Sequence, residues 1–169
     1  MSRFGPTNYG DPCRECGFDW STPAEEADTI IAETPARYVD LLDGQDGSAR
    51  HPDLTWTAGG YVWHVTDNFR IWSDRLAGIA GGSRSPIVPY DENELAASRG
   101  YNEMSVEGGL WALERAVGDY EVVVSLVDAM DDAVMLHPEF GDLPIIEVRR
   151  LIAHDAQHHG WDIERSVAR

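Results

Sequence analysis

Seven apolar residues recur at alternating steps of four and three: Val106, Leu110, Leu113, Val117, Tyr120, Val124 and Val127. Helical geometry gathers such positions onto one face. A heptad-like seam of this length is the packing surface of a helical bundle, so the rest of the chain must supply partner helices. Three further stretches do. Ser21-Thr22-Pro23 followed by Glu25 and Glu26 marks a helix start. Ala27, Ile31, Thr34, Tyr38 and Leu41 then recur at helical steps until Gly44, with Pro35 predicting a kink or a restart. A second helix runs from about Thr57 to Ala77, and a last one from about Pro144 to Val167. Asp91 to Ser98 makes a short extra helix.

Polar or Gly/Pro-rich connections join these helices at 43–55, Gly78–Pro89 and Asp128–Pro144. No stretch shows sustained β alternation. The sequence therefore predicts an all-α protein, a four-helix up-down bundle with long loops. Residues 1–22 form an irregular arm and 23–169 a single domain.

The charge removes several partners. Thirteen basic and thirty acidic residues leave −17, which repels phosphate backbones and anionic membranes. No apolar run reaches membrane-spanning length and no signal peptide opens the chain, so nucleic acid and membrane are excluded and a cytoplasmic setting is expected. An exposed helix leaves a homodimer open.

The last helix carries three of the six histidines. His154 and His158 are one turn apart on one face, a metal-ligand spacing, whereas His159 lies about 100° further round. The apolar stripe Ile145, Val148, Ile152 and Ile163 falls about 150° from His154 and takes in His159. The His154 face also holds Glu147, Leu151, Trp161 and Arg165. Such a pair needs a third ligand, and His64 in the second helix is available, with Asn68, Trp72 and Arg75 on its face. Cys13 and Cys16, the only cysteines, form half of a zinc knuckle. Alone they read as a structural or incidental pair, with a second metal or a redox dithiol as alternatives.

The order Trp-Thr-Ala-Gly-Gly-Tyr-Val-Trp-His64 and then His154-Asp155-Ala156-Gln157-His158 resembles the DinB/YfiT-like four-helix metalloproteins. These include thiol S-transferases and the metal domain of mycothiol-dependent maleylpyruvate isomerase. The resemblance extends from Pro23 onward and implies a metal triad of His64, His154 and His158. The isomerases carry a glutamate where His154 stands, which turns the expectation toward a transferase, here an actinobacterial mycothiol S-transferase type with a detoxification or biosynthetic role. The arm with Cys13, Cys16 and Gly17-Phe18-Asp19 looks like a feature of some actinobacterial members.

Three neutral imidazoles would leave a divalent ion its full charge and an open position. Zinc suits such ligands, with nickel, iron and manganese as alternatives. An ion of this kind deprotonates a bound thiol, and the thiolate attacks electrophilic carbon. The expected co-substrates are mycothiol or another low-molecular-weight thiol and an electrophilic small molecule. Arg75 and Arg165 are candidates to orient the thiol. Asp155, Asp162, Glu147 and Asn68 are candidates to hold ligand N–H groups. A metal-dependent hydrolase or isomerase on the same scaffold, or a metal-binding protein without turnover, are the alternatives.

Overall fold

The protein was analysed as a computed structural model that describes residues 5–130 and 133–168. The first four residues of the expected arm lie outside that range. In chain order the helices are α1 (Pro6–Tyr9), α2 (Ala24–Leu41), α3 (Ala58–Ala80), α4 (Glu92–Arg99), α5 (Val106–Asp128) and α6 (Ile145–Val167). A 3-10 turn covers Tyr101–Glu103, and two strands, β1 (Val134–His137) and β2 (Gly141–Pro144), precede α6.

The four long helices form a bundle in which α2 and α3 each pack against both α5 and α6. The seam behaves as its spacing requires: Leu113, Val117, Tyr120, Val124 and Val127 are buried, and Val106 and Leu110 at the open end are half-buried. In α6, Val148, Ile152 and Ile163 have no exposed surface, so the stripe read from the sequence is the core face. Thr57 and Ser105 cap α3 and α5 by accepting from the N–H groups of Gly60 and Gly108 at 3.0 and 3.2 Å.

Glycine sets one close approach. A Cβ on Gly160 would meet the Tyr38 ring at 3.2 Å and the Arg37 guanidinium carbon at 3.0 Å. The Tyr38 hydroxyl in turn donates to the Ala156 carbonyl at 2.8 Å, joining α2 to α6. A buried polar tie adds to this. Arg149 on α6 donates to Asp28 on α2 at 3.0 Å and pairs with Asp128 at the end of α5, while the Tyr120 hydroxyl donates to Asp28 at 2.9 Å.

Two local expectations change. One α-helix, Ala24–Leu41, runs through Pro35, so the chain does not restart there. The Asp128–Pro144 connection, expected as a loop, contains an antiparallel hairpin in which Met135 pairs with Leu143 and His137 with Gly141. Strands of four residues are too short to show alternation, and only Met135 and Leu143 turn inward to be buried. No helix of the described residues is long and apolar enough to cross a membrane.

Candidate metal centre and cavity

The arm does not hang free of the bundle. Phe18 is 1% exposed and Cys13 2%. Trp20, also buried, donates from Nε1 to the Gly10 carbonyl at 2.9 Å, and its ring lies 4.5 Å from that of His154. Arg150 on α6 reaches back to the carbonyls of Thr22 and Ser21 at 2.8 and 3.2 Å. The Gln157 amide donates to the Cys16 carbonyl at 2.9 Å. Between the cysteines and Phe18 the backbone makes a tight turn. The Gly17 N–H donates to the Cys13 carbonyl at 2.9 Å and the Cys13 N–H to the Phe18 carbonyl at 2.8 Å. Gly17 takes φ +74°, a conformation that disfavours any side chain.

This turn is held against the His154–His158 face of α6. Cys13, Cys16, His154 and His158 each offer a donor atom, and the four atoms lie within 4.8 Å of one another. The Cys13 sulfur and His158 Nδ1 are already 3.8 Å apart. A tetrahedral zinc with bonds of about 2.0–2.3 Å needs donors roughly 3.3–3.8 Å apart, so the widest pair must close by about 1–1.5 Å. His154 is 1% exposed, and neither of its buried ring nitrogens has a hydrogen-bond partner. A buried ring nitrogen without a partner is a position that an ion can fill. The donor set therefore fits a divalent ion.

The surroundings support that fit. His158 turns Nδ1 toward Cys13 and has Nε2 3.4 Å from a Glu15 carboxylate oxygen. His154 Nδ1 lies 3.6 Å from Asp155 Oδ1. A carboxylate behind a ligating histidine fixes its ring and tautomer. Burial opposes charge on Cys13, but the neighbouring His154 ring and backbone groups of Cys16 and Glu15 outweigh it and pull the thiol below its usual range. Thiolate is the form a metal takes.

Next to this cluster is a cavity of about 420 Å³. His64, Asn68, Trp72 and Arg75 line it from α3, and Leu151, His154, Asp155 and His159 from α6. Tyr9 of the arm, Trp56, Tyr90 and the hairpin residues His137 and Phe140 also line it, with Pro89, Glu92 and Glu139. The Asn68 amide nitrogen donates to Asp155 at 2.9 Å and to the Tyr90 hydroxyl at 3.3 Å. Its buried oxygen has no partner. Burial works against charge on Asp155, yet the His154 ring 3.6 Å away and the other nearby imidazoles win and hold its carboxyl below the usual range. Arg75 lies over Trp72 at 4.5 Å and donates to the Val88 carbonyl at 2.8 Å.

The structure thus brings His154 and His158 together with Cys13 and Cys16, while His64 stands with His159. The His64 and His159 rings meet edge to face at 4.6 Å, and Trp56 covers His64 at 4.7 Å. Burial, then the charge of His159, pushes His64 down to about 3. His159 has Nδ1 3.0 Å from Asp162 Oδ2, with the Tyr61 ring stacked on it at 5.2 Å. Asp162 therefore serves His159. Arg165 lies outside the cavity lining, over Trp161 at 4.3 Å and 3.3 Å from His51 Nδ1. Glu147 pairs with Arg150 at 2.8 Å.

Sequence reasoning missed that two half-motifs, CxxC and HxxxH, add up to one four-donor set. The complementary counts, two thiols and two imidazoles, were the available signal. His159, turned away from the His154–His158 pair by its helical phase, is outside the donor set and lines the cavity beside His64.

No protein-family model and no curated protein matches this chain. Two solved structures are similar to it. YfiT from Bacillus subtilis, a probable metal-dependent hydrolase with an unusual four-helix bundle topology, superposes with a TM-score of 0.71 at 18% identity over 85% of each chain. The mycothiol-dependent maleylpyruvate isomerase superposes with a TM-score of 0.65 at 17% identity, over 88% of this chain but only 63% of its own. The chain described above has the four-helix fold of these two proteins.

Proposed function

We propose that the protein is a metal-dependent enzyme acting on a small molecule bound in the 420 Å³ cavity, and that its reaction is the transfer of a low-molecular-weight thiol to an electrophile. One observation carries the reading: His154 belongs both to the donor cluster and to the cavity wall. His154 and His158 hold the ion. A bound divalent ion supplies an acidic site at which a thiol loses its proton.

The chain's own residues do the rest. Asp155 keeps His154 in place and Glu15 keeps His158. Arg75 sets a cation on the wall, and the free oxygen of Asn68 accepts from a donor on the bound molecule. Trp56, Trp72, Tyr90 and Phe140 give apolar surface against which a small molecule loses its water. Mycothiol is the first thiol to try, because one protein of this fold depends on it.

The test is conjugation of a chromogenic electrophile with mycothiol and with glutathione, before and after chelation. The reading predicts turnover that requires thiol and metal together and returns when zinc is restored. Equal conjugation by the chelated protein would sink it. Hydrolysis is the second reading, favoured by the His159–Asp162 pair on the cavity wall, an oriented imidazole of the kind that serves a water. Ester cleavage without any thiol would select it.

A further inference from the structure

Resting on the metal-dependent reading only for the presence of an ion, we propose that the ion's ligands are Cys13, Cys16, His154 and His158. They form a Cys2His2 site that clasps the N-terminal arm to α6 and leaves His64 free in the cavity. Four donors converge within 4.8 Å from two segments 138 residues or more apart in sequence. The Cys13–Phe18 turn presents two sulfurs in the manner of a knuckle, with Gly17 taking the left-handed position. Each histidine is backed by a carboxylate, Asp155 for His154 and Glu15 for His158. The buried, unpartnered Nε2 of His154, on the ring edge away from Asp155, is the independent sign of a ligand there.

Donor chemistry selects the metal. Two thiolates and two imidazoles in a tetrahedral arrangement suit zinc, whereas magnesium, calcium and manganese take oxygen. Four protein donors complete a tetrahedral ion, so a substrate thiol reaches it only by displacing one of them, the half-buried Cys16. The ion then has a structural consequence for the cavity. Tyr9 lines it from the arm, with its ring 4.6 Å from that of His154, so metal binding places one wall of the cavity.

His64 has different surroundings. Its ring packs between Trp56 and His159 and is absent from the converging set.

The experiment is titration of the metal-free wild-type chain with cobalt(II), followed by absorbance. The expected result is saturation at about one ion per chain with intense tetrahedral bands and a thiolate-to-cobalt charge-transfer band. In Cys13→Ser/Cys16→Ser the charge-transfer band should vanish and affinity should fall by well over about tenfold. His64→Ala should keep both. Protease should cut the arm faster in metal-free wild type than in the loaded chain, a readout independent of how the variants fold. A wild-type cobalt complex without the thiolate band, an undiminished affinity in the double variant, or an empty site in His64→Ala would each overturn the assignment. In those cases the ion sits on histidines and the enzyme reading stands. A wild-type chain that binds no divalent ion removes both.

Discussion

Two pairs of histidines, a few ångströms apart along α6 and α3, have opposite surroundings. His154 and His158 face the thiols of the arm, with carboxylates behind them. His64 and His159 face each other and the rings of Trp56 and Tyr61. The first pair has donors converging on a point, and the second lines open space. Identical side chains on the same two helices are thus divided between holding an ion and facing a ligand, and the N-terminal arm makes the division.

The largest effect is expected at His154. Its ring is packed by Trp20 at 4.5 Å, Tyr9 at 4.6 Å and Phe18 at 5.6 Å, so His154→Ala removes a ligand and opens a void under the arm. A buried truncation of this kind costs about 2–5 kcal/mol. At about 2–4 °C per kcal/mol, the melting midpoint should fall by roughly 4–20 °C. Metal analysis should find the ion gone. Differential scanning calorimetry measures the first effect, and a midpoint at the wild-type value would show that the arm is not anchored there.

His64 should give the next largest effect, and only in acid. Its folded pKa of about 3 lies below the unfolded value of about 6.5, so the native state binds fewer protons between them. Stability from the neutral imidazole is therefore fully present above pH ~6.5 and is lost as pH falls toward about 3. Urea unfolding midpoints of wild type and His64→Gln across that range should converge as the pH drops. Parallel curves would mean that His64 is already protonated or exposed.

Cys16 separates a closed ion from an open one. It is the half-buried member of the thiol pair, and Cys16→Ser leaves Cys13, His154 and His158. Three protein donors and a vacancy is the arrangement of catalytic zinc. The variant should bind zinc about tenfold or more weaker. With zinc in excess it should conjugate thiol faster than wild type. A slower rate at full metal occupancy would show that the arm thiol is needed during turnover.

The smallest effect belongs to His159→Ala. The buried Asp162 loses its partner at 3.0 Å but keeps Arg165 at 3.8 Å. A loss of about 1–3 kcal/mol follows, with metal content unchanged. An emptied site would place His159 among the ligands.

The sequence by itself determined the helices and their core faces. Periodicity is a local property, and Leu113, Val117 and Tyr120 in α5 or Val148 and Ile152 in α6 carry it in their spacing. The i, i+4 relation of His154 and His158 is local in the same way, which made that pair legible as metal ligands. The hairpin at Val134–Pro144 was not legible, because four-residue strands have no period to read. Tertiary structure alone decided which groups join the pair. Cys13 and His158 are 145 residues apart in sequence, and nothing in the spacing of either motif points to the other. What brings them together is the burial of Phe18 and Trp20 against α6, a packing preference spread over the whole core. The same packing turns His159, one residue beyond a candidate ligand, into a wall of the cavity.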